Sequence, residues 1–294
     1  MVARVVGRSL IIAGVLVHVA EAATNIVVGT LPKERDGWSL TGPGNNADGP
    51  PQLAEFIINP SNFGPGGTVA DFTFSIAEIS TITPQTLAGL DVFHITFDEQ
   101  GWPNGGPSFT PGGNVPSLSV SEINAFVDFV NSGGVLMTFV SWRPAFTNPA
   151  ADPLLTEFGL HTGVQLAGGT ATPTAAMPSS VQNGPFGTVN EVTWSSNYHS
   201  SMDIDVLAAA EVWLTAGSHN ELVEVSHGNG ALLAFGDYYW TYTDIVEHAH
   251  PSTGFDTLMG NTMTYAATVP EPTTLAILGL GGVAILRRRR HGAL

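Results

Sequence analysis

The side chains that could carry chemistry lie in a few short segments, and one of these follows an apolar run. Ser141 comes directly after residues 135–140, and a Ser at a strand end acts as a nucleophile only beside a base and an oxyanion hole. No Gly-x-Ser-x-Gly frame surrounds it, so the alternative is an ordinary Ser at a strand end. Trp142 and Arg143 follow, and an Arg beside a Trp can hold a carboxylate or stack on a sugar. The alternative for Arg143 is an internal salt bridge with one of many acids.

Two His-containing segments are candidates for binding a divalent cation. His199, Asp203 and Asp205 place one ring nitrogen and two carboxylates within seven residues. Carboxylate-rich sets favour Ca²⁺ or Mn²⁺, and a His adds zinc or iron. His248 and His250 are two residues apart, so they face opposite ways in a strand and share a metal only in a loop. A divalent cation is therefore a candidate cofactor, and two ordinary polar loops are the alternative.

An aromatic segment follows the apolar run at residues 231–236. It consists of Asp237, Tyr238, Tyr239 and Trp240. Open α/β sheets bind ligands at the carboxyl ends of their strands, which is where this segment is expected. Aromatic rings beside a carboxylate often hold sugars, so the segment is a candidate carbohydrate site, with loop aromatics that cover the core as the alternative.

A parallel crossover unit is predicted to position the first of these segments. Residues 91–97 form an apolar run typical of a buried strand. Ser119 or Ser121 can cap a helix, and Glu122 stands three residues beyond Ser119 as in a capping box. A Gly-Gly pair then ends the helix and the apolar run 135–140 follows. Strand, helix, Gly-Gly turn and strand indicate a parallel sheet covered by helices.

The rest of the chain supplies further strands, short helices and loops. Asn229-Gly230 between apolar runs predicts a hairpin. Gly and Pro cluster at residues 42–51, 59–67, 101–116 and 168–185, which we expect to be surface loops. Strands are predicted at residues 25–29, 69–79, 189–194, 211–215, 222–226 and 231–237, helices at 52–58 and 255–266, and helical turns at 83–90 and 154–160.

The N-terminal end has the three parts of a secretory signal. Arg4 and Arg8 make a basic start, and residues 9–19 form an apolar stretch. Small residues around position 22 suit a signal peptidase, which predicts a signal peptide at residues 1–23 with cleavage after residue 22 or 23. The alternative is a buried first strand or helix.

The C-terminal end, residues 269–294, carries three elements in a fixed order. A Pro-Glu-Pro box is followed by the apolar run 273–286 and then by four arginines, which favour the cytoplasmic side. This order resembles the PEP-CTERM sorting signal of Gram-negative bacteria. The resemblance implies cleavage near the box by an exosortase and delivery to the cell surface or its polysaccharide matrix. The motif residues are Pro270, Glu271, Pro272, Arg287, Arg288, Arg289 and Arg290.

A permanent tail anchor is the alternative interpretation of the same segment. Residues 273–286 would form a hydrophobic helix about 21 Å long at 1.5 Å per residue. A bilayer core is roughly 30 Å thick, so this length suits a transient membrane contact better than a lasting anchor.

Charge and cysteine content limit what the remaining residues, 24–268, can do. They contain three basic residues against 23 acidic ones, a formal charge of −20. Such a surface repels nucleic acid and anionic membranes, and it could gather divalent cations. The chain has no cysteine, which excludes disulfides, thiolate catalysis and a Cys-ligated zinc.

Three segments resemble the flavodoxin-like domains related to class I glutamine amidotransferases. They are residues 90–95, residues 118–140 with the Gly-Gly turn, and residues 228–237, and the match spans roughly 90–265. The resemblance implies an α/β fold, with a three-layer, mostly parallel sheet and helices on both faces. The family's catalytic cysteine and its downstream His-x-Glu pair have no counterpart here, so the resemblance carries the fold and not the activity.

These observations predict an exported surface or matrix protein with one α/β domain at residues 24–268. We expect the domain to be non-catalytic and to bind carbohydrate or a cation. The alternative is a secreted hydrolase that uses Ser141 or a metal near His199 and His250. The expected partners are an exosortase-type enzyme, the membrane transiently through residues 273–286, and exopolysaccharide, but not nucleic acid.

Overall fold

A computed structural model describes most of the predicted domain. The N-terminal signal segment and the hydrophobic tail helix predicted above lie outside the described residues, as do the side chains of residues 52, 165, 194 and 199. The described residues are 23–36, 39–41, 52–97, 116–140, 150–166, 169–194, 199–236 and 254–269.

Strands dominate the described part of the chain. The predicted strands are present with shifted ends. The strands at residues 160–166, 169–173, 183–184, 187–188 and 199–204 were not predicted. The strands are β1 Thr24–Thr30, β2 Phe72–Glu78, β3 Val92–Phe97, β4 Val135–Val140, β5 Leu160–Leu166, β6 Gly169–Pro173, β7 Asn183–Gly184, β8 Gly187–Thr188, β9 Val192–Trp194, β10 His199–Ile204, β11 Ala210–Ala216, β12 His219–His227 and β13 Gly230–Phe235.

Nine of these strands form one sheet with a parallel and an antiparallel half. The parallel half has the order β2–β1–β3–β4–β13, and the antiparallel half continues as β12–β11–β6–β9. Strands β5 and β10 pair separately as an antiparallel ribbon, and β7 pairs with β8. The prediction of an α/β chain built on a large sheet is confirmed, with the sheet mixed in direction.

Helices are few, and only two of those described exceed seven residues. The expected flavodoxin-like covering by helices on both faces is therefore wrong, because strands and short turns fill much of that space instead. Within the described ranges, no helix is both long and apolar enough to cross a membrane. The helices are α1 Gln52–Ile58, α2 Pro84–Leu87, α3 Val120–Asn131, α4 Asp152–Leu155, α5 Ser179–Gln182 and α6 Phe255–Thr268, with a 3₁₀ turn at Thr156–Phe158.

The start of α3 confirms the predicted capping box and identifies Ser119 as the cap. The Ser119 hydroxyl accepts from the Glu122 backbone N–H at 3.4 Å, and the Glu122 carboxylate accepts from the Ser119 N–H at 2.9 Å. Arg35 lies 2.9 Å from the same carboxylate. Burial favours a higher pKa for Glu122, but the hydrogen bonds from Ser119 and Arg35 outweigh it and lower the pKa. The cap thus ties α3 to the segment after β1.

Alternating side chains of the central strands separate two apolar clusters. In β4, Val135, Met137 and Phe139 belong to one cluster, which also contains residues of α1 and α6. Leu136 and Val140 belong to the other, which contains residues of α3 and α4. Strand residues alternate between the two faces of a sheet, so the two clusters lie on opposite faces. The crossover of β3, α3 and β4 is parallel, as predicted.

The C-terminal half contains one confirmed and one wrong prediction. The hairpin at Asn229-Gly230 is confirmed: β12 and β13 pair with His227 opposite Gly230. Gly228 takes a φ of +63° in this turn, and a side chain there would also collide with Asn131. Residues 168–185, expected to be a surface loop, instead include β6 and α5, because pairing with distant β11 and β9 overrides the local Gly and Pro content.

A candidate ligand-binding edge of the sheet

The two strands that precede the predicted ligand segments end side by side at the carboxyl edge of the parallel half of the sheet. Phe139 of β4 and Phe235 of β13 are register partners, and their rings stack at 4.4 Å. Paired strands lie about 4.8 Å apart, so the chain leaves β4 and β13 at neighbouring points. Ser141, Trp142 and Arg143 follow β4, and Asp237, Tyr238, Tyr239 and Trp240 follow Gly236 after β13. All seven lie outside the described residues, and their use in binding stays a prediction.

Gly236 shows how closely the chain packs at this edge. Its N–H donates to the Glu221 carbonyl at 2.8 Å, and its own carbonyl accepts from the Ser200 N–H at 2.7 Å. A β-carbon at this position would collide with the Ser200 carbonyl oxygen and lie 2.9 Å from Oε2 of Glu221. Strand β10 therefore crosses the end of β13 at a distance that only glycine permits.

Glu221 also lies at this edge and was not among the site residues predicted from the sequence. It is fully buried and its carboxylate lies next to Gly236. The neighbouring Asn220 donates through Nδ2 to the Met202 carbonyl at 2.9 Å, which fixes β12 to β10. Burial of a carboxylate costs free energy unless the group is paired. We therefore expect Glu221 to have a fixed position, either in a binding site or in the core of the fold. The available signal was an acid directly before the strand predicted at residues 222–226.

The edge between β1 and β3 is covered by the protein's own chain. Ligands of open α/β sheets often bind where the strand order reverses, which here lies between these two strands. Asp36 is fully buried there and accepts the Thr96 N–H at 2.9 Å. The Leu40 N–H donates to the Thr30 hydroxyl at 3.3 Å. This cover argues against ligand binding at the β1–β3 edge.

His94 is a buried imidazole inside the sheet. It is 1% exposed, and its ring lies 4.9 Å from the ring of Phe139. Neither ring nitrogen has a hydrogen-bond partner among the described residues. Burial lowers the pKa of His94 to about 3, and the electrostatic influence of its own backbone opposes this shift only weakly. His94 is therefore neutral at pH 7 and belongs to the framework.

The predicted cation ligands are only partly described. Asp203 and Asp205 are exposed on β10 and just after it, whereas the side chain of His199 and all of His248 and His250 lie outside the described residues. An unpredicted His161 has its Nε2 3.3 Å from Oδ1 of Asp205. Among the described side chains, no group of three or more His, Asp or Glu residues is arranged to hold a metal ion.

A second buried carboxylate lies beside the end of α6. Glu224 is 6% exposed and accepts a 2.6 Å hydrogen bond from the Tyr265 hydroxyl. Burial raises the pKa of Glu224, the nearby charge of Glu211 raises it further, and the bond from Tyr265 opposes both. Burial and the Glu224 contact raise the pKa of Tyr265 as well. The ring of Trp213 packs edge-on against Tyr265 at 5.1 Å.

Several solved structures are similar to this chain at low sequence identity. The mmIFT52 N-terminal domain has 11% identity and a TM-score of 0.54, over 83% of this chain and 98% of that one. Cytoplasmic Protein STM1381 from Salmonella typhimurium LT2 has 15% identity and a TM-score of 0.49, over 82% and 99%. A beta-galactosidase from Bacillus circulans sp. alkalophilus has 10% identity and a TM-score of 0.47, over 84% and 31%.

These similarities bear on the fold alone. None of the structures named above is a glutamine amidotransferase, so the resemblance to that family is not supported. No curated protein matches the sequence.

The C-terminal segment, in contrast, matches a known motif. Residues 268–290 match the PEP-CTERM protein-sorting motif. This motif implies export and attachment at the envelope of Gram-negative bacteria, and exosortases process it. The chain therefore carries a PEP-CTERM sorting motif at residues 268–290.

Proposed function

We propose that this protein is a non-catalytic carbohydrate-binding protein that is delivered to the cell surface or its matrix. Its ligand site is formed at the β4–β13 edge by the segments 141–143 and 237–240. The observation that carries the proposal is the parallel pairing of β4 with β13, because the strands that precede the two segments end at the same edge of the sheet. A sugar ring stacks on aromatic faces while carboxylate and guanidinium groups bind its hydroxyls.

Delivery follows from the two ends of the chain. In this proposal the signal at residues 1–23 directs export, residues 273–286 contact the membrane transiently, and cleavage near the Pro-Glu-Pro box releases the domain. The strongly acidic domain suits a neutral or cationic polysaccharide rather than an anionic polymer, because like charges repel.

Affinity electrophoresis and isothermal titration against a panel of polysaccharides test the binding proposal. We expect the purified protein to bind at least one of them, and Trp142→Ala and Trp240→Ala to weaken that binding about 10-fold or more, as loss of an aromatic contact does. Trp194→Ala is the matched control, because β9 lies at the far edge of the sheet, separated from β13 by three strands. If the wild-type protein binds none of the polysaccharides, or if all three variants lose affinity equally, the proposed site is wrong.

A further inference from the structure

The folded domain and the sorting motif meet without a spacer. Helix α6 ends at Thr268, the residue at which the motif begins. Val269 packs against the apolar cluster of α1 and α6. Only four residues, 269–272, separate the helix from the apolar run that starts at Thr273. Fully extended, the chain from Thr268 to Thr273 spans at most about 18 Å.

Hydrogen bonds hold the last turn of α6, so this turn does not lengthen the connection to the sorting motif. The Thr268 hydroxyl donates to the Tyr265 carbonyl at 2.7 Å. The Tyr265 hydroxyl in turn donates to buried Glu224 of β12 at 2.6 Å. A short hydrogen bond to a carboxyl group is among the stronger ones in proteins. Unwinding this turn would break the bond and leave a buried acid without its donor, which is unfavourable.

Three residues around this point define a surface with one exposed carboxylate, which we call the α6 exit surface: exposed Glu211, half-buried Tyr265 and exposed Thr268. Glu211 is exposed and lies directly opposite Glu224 in the β11–β12 pairing. Glu224 also accepts a hydrogen bond from the Tyr265 hydroxyl at 2.6 Å, so Glu211 and Tyr265 both neighbour Glu224. The charge of Glu211 repels anionic lipid headgroups and attracts a basic protein surface.

We infer that the α6 exit surface is the surface through which the folded domain contacts the exosortase-type enzyme that processes its sorting motif. The inference rests on the proposed sorting pathway. An enzyme that acts at residues 269–272 must bring its active site within about 18 Å of Thr268, closer than the width of a small domain. Because the last turn is held, the enzyme's surface lies against the domain, opposite Glu211.

Pulse–chase labelling of the full chain in a Gram-negative host that makes an exosortase tests this contact. Glu211→Lys should slow processing about threefold or more, because reversal of a charge at an interface rim slows association. Glu157→Lys is the matched control: Glu157 is equally exposed, but lies in the 3₁₀ turn beside the other apolar cluster. A Gly/Ser insertion of about six residues between Val269 and Pro270 adds roughly 20 Å of reach and should remove the difference between Glu211→Lys and wild type.

The outcomes separate this inference from the sorting proposal on which it rests. If Glu211→Lys is processed at the wild-type rate, or if Glu157→Lys is slowed as much, the inferred contact is wrong while sorting stands. Normal processing of Glu211→Lys together with stronger binding to anionic vesicles would show that lipid, not the enzyme, meets this surface. If even the wild-type chain is exported but never processed, the sorting proposal fails and the inference fails with it.

Discussion

At the residue scale, His94 is a titratable side chain whose pKa is lowered by burial in the sheet. The imidazole lies among the buried side chains of the cluster that contains Phe139, and its ring nitrogens have no described partner. Proton uptake would place a charge in an apolar environment, which is why burial lowers the pKa to about 3. The neutral imidazole packs at this buried position in the sheet as a flat, largely apolar group.

His94 should make the protein sensitive to mild acid. Its pKa is about 6.5 in the unfolded chain and about 3 in the folded one, so between these values the unfolded state binds the extra proton. The free energy of unfolding should therefore fall as pH falls below 6.5, by about 2 kcal/mol at pH 5. Urea unfolding of the wild type and of His94→Leu at pH 7.5 and 5 measures this contribution.

The comparison with His94→Leu isolates one group from the many acids that also titrate. The difference in unfolding free energy between the two proteins should shift by about 2 kcal/mol in favour of the variant between pH 7.5 and 5. A difference that stays constant with pH would show that His94 does not remain neutral in the folded protein.

Gly236 is a second residue with a specific steric role. A methyl group there would collide with the Ser200 carbonyl, which belongs to the backbone of β10 and cannot rotate away. We expect Gly236→Ala to destabilise the protein by about 1–3 kcal/mol, as overpacking does. Amide hydrogen exchange provides the site-specific measurement, because the Ser200 N–H, bonded to the Gly236 carbonyl, should lose protection. Unchanged protection of Ser200 would contradict this packing.

At the element scale, α3 is specified by its own sequence to an unusual degree. Its capping box, its apolar positions and the turn after it agree with one another, and the structure follows them. Agreement between local signals and tertiary contacts is the condition under which an element can be predicted from sequence.

The choice between Ser119 and Ser121 gives a direct test of the α3 cap. Ser119→Ala removes the acceptor for the Glu122 N–H and should lower the free energy of unfolding by about 1 kcal/mol. Ser121→Ala, two residues further on and exposed, should change it by less than about 0.5 kcal/mol. Thermal unfolding of both variants measures the contrast. Equal effects would mean that the cap contributes no stability of its own.

Elements that depend on distant pairing could not be predicted in this way. Strand β6 lies in a Gly- and Pro-rich segment and becomes a strand only because β11 and β9 flank it. The β5–β10 ribbon likewise joins segments more than 30 residues apart. The helical covering was overpredicted because the crossover of β3, α3 and β4 is typical of folds with many such helices. At the candidate site, the ends of β4 and β13 were predictable from sequence. The burial of Glu221 was not, because it depends on β10, which crosses the end of β13.

At the scale of the whole molecule, sorting and folding use separate parts of the chain. Six of the nine basic residues lie in the two terminal segments, and the domain between them has a formal charge of −20. This distribution leaves the domain with little attraction for anionic membranes, so its delivery depends on the terminal segments. The sorting motif starts where α6 ends, so no spacer separates the two parts in the sequence.

The mass of the intact protein recovered from the cell envelope tests the export and sorting account most directly. Expression in an exosortase-positive Gram-negative host should give a chain that starts at residue 23 or 24 and ends near residues 269–272. Replacement of Pro270, Glu271 and Pro272 by Ala should leave the tail attached while the N-terminus is still processed. A wild-type chain that stays in the cytoplasm with the full mass of 30.7 kDa would contradict the account.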